Sequence, residues 1–204
     1  HSDLRRQRQM CIRDRMKSKQ QNLEKRILVI RNRHIGDTVL AIPFLRNLRR
    51  KYPDAIIDVV VEHGAGQILE DCPYKNELLV WNRPKRINGA VLISFVNIIS
   101  MSRWIRRRRY NQAFILNRSL STGLLAWLAG IPHRVGAVRD GRGMFLTHKV
   151  PLQKGRHEVE LSLDLLRAEG ITVDDGHNEN WVSESSGRKV DQLLESIPPE
   201  KPRV

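Results

Sequence analysis

The chain has 204 residues, of which 40% are hydrophobic and 28% charged, the balance of a globular protein that can bury a core and not of a disordered chain. Its longest apolar stretch covers residues 90–100 and contains Asn97, well short of the roughly 20 residues a membrane span needs, and no apolar segment of signal-peptide type follows the Arg-rich start. The formal charge of +14 implies an anionic partner, whether nucleic acid, a phosphorylated substrate or an anionic membrane surface, while 5% aromatics make a thin platform for stacking single strands.

Residues 1–15 carry no strand or helix periodicity, and the string RQRQMCIRDR resembles a translated sequencing-adapter artefact. They are expected to be a non-native scar, with the natural protein starting at Met16. Removing them takes away five Arg and two Asp and lowers the charge from +14 to +11. The basic character therefore belongs to the body of the chain. Of the two cysteines, Cys11 and Cys72, neither sits in a C-x-x-C pair or a Cys/His cluster, so structural zinc and a disulfide framework are not expected. A reducing cytoplasm is the default compartment.

Residues 26–31 form a short apolar run that predicts a buried parallel strand. Gly36 and Asp37 follow as a turn. From Thr38 to Tyr52 the spacing of Val39, Ile42, Leu45, Leu48 and Tyr52 predicts a helix, in which Pro43 marks an early turn or a kink. Strands are expected at 56–62 and 77–82 with a short helix at 64–71 between them. A helix over 89–109, a strand at 112–116, a helix over 121–130 closed by Gly130, a strand at 134–138 and a helix over 157–170 complete the pattern. Strands alternating with helices predict a doubly wound α/β domain with a parallel, Rossmann-like sheet over residues 16–170. Residues 171–186 are polar and acidic and read as a linker. A helix at 187–197 is followed by PPEKPRV, where a second domain is expected to start and to be cut short.

In an open α/β sheet, ligands bind outside the carboxyl ends of the strands. Asp37 lies just past the first strand and opens a helix. An aspartate there either caps the helix or serves as a general base in a cleft, and position alone leaves both readings open. The first βα turn contains neither G-x-G-x-x-G nor a P-loop, so no dinucleotide cofactor is expected, and no metal-ligand pattern is visible. Arg106, Arg107, Arg108 and Arg109 form a run that is either a solvated helix end or a contact for anionic lipid headgroups, with Trp104 and Ile105 touching the interface. Ser119, Ser121 and Thr122 stand near a helix start, as caps or, with Arg118, Arg134, Arg139 and Arg142, as binders of phosphate or carboxylate. His157 reads as structural.

The segment RILVIRNRHIGDTVLAIPFLRNLRRKYPDAIIDVVVE resembles the opening of bacterial heptosyltransferases of glycosyltransferase family 9. The segment YNQAFILNRSLSTGLLAWLAGIPHRVG is similar to their heptosyltransferase II branch, with AGIPHRVG its most specific part. The resemblance covers about residues 25–170. It implies the N-terminal, acceptor-holding half of a GT-B fold and transfer of heptose from ADP-heptose to the lipopolysaccharide inner core, on the cytoplasmic face of the inner membrane. It puts the family's catalytic Asp on Asp37, as base in a single inverting displacement of oxocarbenium character, with no divalent metal. It makes Ser119, Ser121, Arg134, Arg139 and Arg142 acceptor contacts. Arg118 departs from the branch, which prefers a small polar residue there. The family's donor-domain motifs, a Pro-Gly-Ala-type loop, Lys-x-Trp and Asp-Thr-x-x-x-His, do not occur in this sequence, so the chain alone is expected to carry the base and the acceptor face and to transfer no sugar. Two alternatives stay open: a family 9 relative with another sugar donor or polysaccharide acceptor, and a basic α/β nucleic-acid-binding module. The scarcity of aromatics weighs against the second, and nucleic acid is not the expected partner.

Overall fold

A computed structural model describes residues 25–82, 91–138, 143–153, 155–181 and 184–195. Residues 1–15, Arg139, Arg142 and the stretch past residue 195 lie outside the described residues.

The element order is β1 (Arg26–Ile30), α1 (Ile35–Val39), α2 (Ile42–Lys51), β2 (Ile56–Val61), α3 (His63–Gly66) running into a 3₁₀ turn (Gln67–Leu69), β3 (Leu78–Val80), α4 (Val91–Arg107), β4 (Gln112–Ile115), α5 (Leu120–Leu128), β5 (His133–Val138), β6 (His148–Pro151), α6 (Glu158–Ala168) and α7 (Glu184–Glu195). The six strands form one sheet in the order β3-β2-β1-β4-β5-β6, and every pairing is parallel. This is the doubly wound Rossmann-like arrangement. Its strand order reverses between β1 and β4, where the carboxyl ends of the two strands open a crevice.

The alternation of side chains along β1 builds both layers. Ile27 and Val29 face one side, where Ile42, Phe44, Leu45 and Leu48 of α2 and Val159, Leu163 and Leu166 of α6 cover them. Leu28 and Ile30 face the other, under Ile98, Met101 and Ile105 of α4 and Leu125 and Ala126 of α5. A central strand covered on both faces needs an unbroken apolar run, and RILVI supplies one. Each such aliphatic side chain removed from water contributes about 1.5–3 kcal/mol.

The expected single helix over 38–52 is two helices. Pro43 has no N–H, and its ring would meet the carbonyl of Val39 in a continuous helix. The chain therefore stops at Val39 and restarts at Ile42, with Pro43 in the first turn of α2, where a missing donor costs nothing. The glycine stops hold as expected. Gly130 (φ +74°) and Gly170 (φ +68°) both sit in the left-handed region. In each case the next N–H reaches back into the helix, Ile131 to Ala126 O at 3.2 Å and Ile171 to Leu166 O at 3.0 Å, the Schellman pattern. Strand β6 was not expected: it is an edge strand of four residues, HKVP, with Val150 alone buried. The segment 171–181 has no regular secondary structure, as its composition implies, yet it is not a free spacer. The Arg46 guanidinium binds Asp175 at 3.0 Å and Glu179 at 2.7 Å, Asn47 Nδ2 donates to Asp175 O at 2.7 Å, and Trp181 packs edge-on against Tyr74 with centroids 5.6 Å apart. These contacts fasten it to α2 and the loop before β3.

Candidate functional site

The crevice at the sheet's switch point is organised by Arg31, the residue that follows β1. Its side chain is 1% exposed. Nε donates to Asp37 O at 2.8 Å, Nη1 to Leu116 O at 3.0 Å and to Glu158 Oε1 at 3.3 Å, and Nη2 to Asp37 Oδ1 at 3.1 Å. One guanidinium thus joins the start of α1, the end of β4 and the start of α6. Burial pushes its pKa down from the ordinary arginine value, and the charges of Asp37 and Glu158 pull it back up. The other Glu158 oxygen accepts from Arg118 Nη2 at 2.9 Å. Two further bonds close the floor: Asn117 Nδ2 donates to Asn32 O at 2.8 Å and Asn32 Nδ2 to Trp81 O at 2.9 Å.

Asp37 is the third residue of α1. The residue in the N-cap position is His34, and no side chain caps that helix. The capping alternative for Asp37 is therefore corrected: its carboxylate is turned to Arg31, not to its own helix. With Oδ1 and its backbone carbonyl both held by Arg31, Oδ2 faces Arg33 Nε at 3.8 Å, and the side chain keeps 21% of its surface exposed. A carboxylate fixed through one oxygen, with the other paired only loosely to an exposed arginine and reached by solvent, at the carboxyl ends of the strands, has the geometry to take a proton from a bound hydroxyl.

The other expected residues separate. Ser119 occupies the N-cap position of α5 without a capping side-chain bond. Its Oγ lies 2.7 Å from Ser121 Oγ, so both hydroxyls stand at the carboxyl end of β4, one and three residues past Arg118. Thr122 Oγ1 is spent on Ser119 O at 2.7 Å. Arg134 is not brought to this crevice. It is the second residue of β5, and its guanidinium donates to the carbonyls of Phe145 at 2.6 Å, Pro132 at 3.3 Å and Ile131. That binding ties the loop before β6 to the start of β5 and leaves the guanidinium directed away from Asp37. His157 caps α6, its Nδ1 accepting from Val159 N at 3.4 Å, as the structural reading expects. The Arg106–Arg109 run does not present one face. Arg106 Nη2 donates to Leu128 O at 2.5 Å. Arg108 pairs with Glu77 at 2.5 Å and Asp58 at 3.4 Å and lies over the Trp104 ring. Ile105 is fully buried, which corrects its expected place at a membrane interface. Arg106, Arg107 and Arg109 are exposed. No helix among the described residues is long and apolar enough to cross a membrane.

Sequence reasoning missed Arg31 and Glu158. A charged residue closing an otherwise apolar strand was the available sign for Arg31. Glu158 looked like a first-turn acid that any helix start favours.

This geometry can now be set beside known proteins. The chain is 34% identical over 112 residues to lipopolysaccharide heptosyltransferase 2 of Escherichia coli (strain K12), a match covering 54% of this chain and 30% of that protein. It superposes on the glycosyl transferase family 9 structure from Veillonella parvula DSM 2008 with a TM-score of 0.70 and 25% identity, over 84% of this chain and 49% of that one. It also superposes on the E. coli ADP-heptose lps heptosyltransferase II structure with a TM-score of 0.66 and 25% identity, over 87% of this chain and 52% of that one. The chain thus spans about a third of the curated relative and about half of each solved structure. No family model matches it. The resemblance to glycosyltransferase family 9 is borne out: the chain has a heptosyltransferase-like fold, forms a Rossmann-like half of the GT-B kind, and is a homologue of glycosyltransferases.

Proposed function

We propose that this chain is the acceptor-and-base half of an inverting heptosyltransferase that moves heptose from ADP-heptose to the lipopolysaccharide inner core. The observation that carries the reading is Asp37 at the β1/β4 switch point, one carboxylate oxygen clamped by the buried Arg31 and the other 3.8 Å from the half-exposed Arg33, with the side chain still 21% exposed. In the reaction Asp37 Oδ2 accepts the proton of the acceptor hydroxyl as the hydroxyl oxygen bonds to the anomeric carbon. The bond from that carbon to the ADP oxygen breaks in the same displacement, and ADP departs with the bonding pair. Arg31 orients the base. Arg33, 45% exposed at its side chain, and Arg118, Ser119 and Ser121 at the head of α5 supply cationic and hydroxyl contacts for phosphate or carboxylate groups on the acceptor, joined by Arg139 and Arg142. The donor would be held by the part of such an enzyme beyond the half that these 204 residues match, and the 204 residues alone are expected to bind acceptor and transfer nothing.

The enzyme would work at the cytoplasmic face of the inner membrane, as a peripheral protein. Arg106, Arg107 and Arg109 are the exposed members of the arginine run and would meet anionic headgroups. Pull-down with anionic and neutral liposomes, on wild type and an Arg106–Arg109 alanine variant, tests this contact. Equal binding in all four combinations ends it.

The test of function pairs two measurements. Titration of deacylated inner-core oligosaccharide into the chain should give saturable binding that Asp37→Asn leaves nearly intact. In the reading frame extended past Val204 to include a donor domain, the same substitution should lower kcat by roughly 10²–10⁴-fold, the usual worth of a general base, with KM little changed. Heptose transfer by the 204-residue chain alone, or full activity in the Asp37→Asn enzyme, would overturn the reading.

A further inference from the structure

A second cluster of chemically capable side chains lies at the other end of the sheet, where the strands begin. His133 opens β5 and His148 opens β6. The register pairs Gln112 with His133 and Val135 with His148. With side chains alternating along each strand, Gln112, His133 and His148 share a face with Phe114, Val135 and Val150, the face on which α6 packs. Glu169, the C-cap residue of α6, is carried to the same spot. His133 Nε2 lies 2.8 Å from Glu169 Oε2, and His148 Nδ1 lies 2.5 Å from Glu169 Oε1. Gln112 Nε2 donates to Glu169 Oε2 at 3.1 Å. The Arg31–Asp37 crevice uses none of these four.

Two imidazole nitrogens and one carboxylate oxygen within 4.8 Å of one another are the only such set of three among the described residues. We propose that His133, His148 and Glu169 form a binding site for a zinc-type divalent cation that clips the two outermost strands to the end of α6. Mixed nitrogen and oxygen donors suit zinc and its borderline neighbours, not magnesium or calcium, which take all-oxygen shells. Ligand bonds of about 2.0–2.2 Å in a tetrahedral site put the ligand atoms about 3.3 Å apart. The carboxylate therefore needs to withdraw by roughly 0.5 Å from His133 and roughly 0.8 Å from His148 to admit the ion. The two imidazole side chains are 41% and 40% exposed and the carboxylate 14%, so water reaches the site and can fill the fourth position. The Gln112 amide holds the carboxylate from behind, the kind of outer-shell bond that fixes a metal ligand's orientation. Without an ion the same three groups form only a hydrogen-bonded bridge, and the two states are separable by experiment.

The untagged 204-residue chain, stripped with chelator, is titrated with Zn²⁺ in competition with a chromophoric chelator, and with Co²⁺ for its visible absorption. One ion per chain is expected, with the intense bands of four-coordinate Co²⁺. Gln112→Leu should weaken binding about tenfold, His148→Ala and Glu169→Gln by more, and His177→Ala, at a fully exposed imidazole, not at all. At a free Zn²⁺ concentration a hundred times Kd, the melting temperature should rise by about 5–10 °C. Nitrogen-15 imidazole spectra of the wild type make the test independent of any variant's folding, because Zn²⁺ should move the His133 Nε2 and His148 Nδ1 resonances first. Equal affinity in wild type and Glu169→Gln, no stoichiometric binding, or shifts centred on other histidines would overturn the proposal.

Discussion

Replacing Arg31 by Met keeps an apolar stem and removes the guanidinium, and this is the most informative single change in the crevice. It orphans the Leu116 and Asp37 carbonyls and leaves the Asp37 and Glu158 carboxylates facing each other's field without the cation between them. Breaking a buried ion pair by removing one partner costs about 3–5 kcal/mol. Here both carboxylates are 21% exposed and Glu158 keeps Arg118, so water and that second cation recover part of the loss and the low end, about 3 kcal/mol, applies. For a chain of this size that is a fall of about 6–12 °C in Tm, measured by far-UV circular dichroism. Glu158→Gln in the Arg31→Met background removes one of the two carboxylates that repel each other once the guanidinium between them is gone. The double variant should therefore be more stable than the sum of the singles by about 1 kcal/mol, above the ~0.3–0.5 kcal/mol scatter of independent sites. A Tm loss below about 2 °C for Arg31→Met, or strict additivity in the cycle, would refute the view that this guanidinium is the crevice's keystone.

The remaining expectations concern other parts of the fold. In Gly136→Ala the new Cβ would lie 3.2 Å from the Ile115 carbonyl and 3.1 Å from both Leu146 methyls; the backbone oxygen cannot give way, so urea unfolding should show a loss of about 1–3 kcal/mol. Tyr110 is buried and donates its hydroxyl to Asp58 Oδ2, and burial, with Asp58 adding to it, pushes the phenol pKa well above its usual value. A proton held more tightly in the folded state means stability is intact below the unfolded value of about 10 and declines as pH rises past it. Tyr110→Phe should cost about 1.5 kcal/mol at neutral pH and remove that alkaline decline, and an unchanged decline would count against the pairing. The Asp175 carboxyl is held below its ordinary value by the His177 N–H and imidazole and by Arg46. A depressed folded pKa contributes stability above the unfolded value of about 3.9 that is lost as pH falls through the folded one. Tryptophan fluorescence of Trp181 should therefore report undocking of 171–181 in that acid window for wild type, and at neutral pH already for Arg46→Met.

Much of the sheet was legible because its determinants are local. RILVI and IIDVVV are short β-branched runs, and strands covered on both faces need just that. Gly130 and Gly170 stop their helices at positions whose positive φ suits a residue without Cβ. Strand β6 was not legible, because HKVP buries Val150 alone and ends in Pro151, and an edge strand needs neither an apolar run nor a full set of donors. The site divides along the same line. Asp37 could be singled out from its place after a strand. Its partner Arg31 meets Glu158 across 127 residues, a contact that exists only because β4 inserts beside β1 and α6 returns over the sheet. Arg134 shows the converse. A basic residue after AGIP reads the same whether its guanidinium faces an anion or, as here, the carbonyls of its own neighbouring loop.

That dependence on topology bears on how the carboxylate is held. Arg31 collects its acceptors from α1, from the end of β4 and from the first residue of α6. The geometry of Asp37 is therefore completed only when the last helix of the sheet has docked. α6 is itself fixed at both ends: Glu158 binds Arg31 and Arg118 at its start, and Glu169 binds His133 and His148 at its finish. Past that finish, residues 171–181 run back onto α2 through Arg46 and Asn47. A helix held this way transmits displacement along its axis, since it is stiff and its packed face has no slack. Loosening the Glu169 end should thus be felt, through Glu158 at the other end of α6 and Arg31, as a change in the position of Asp37 and not in its identity.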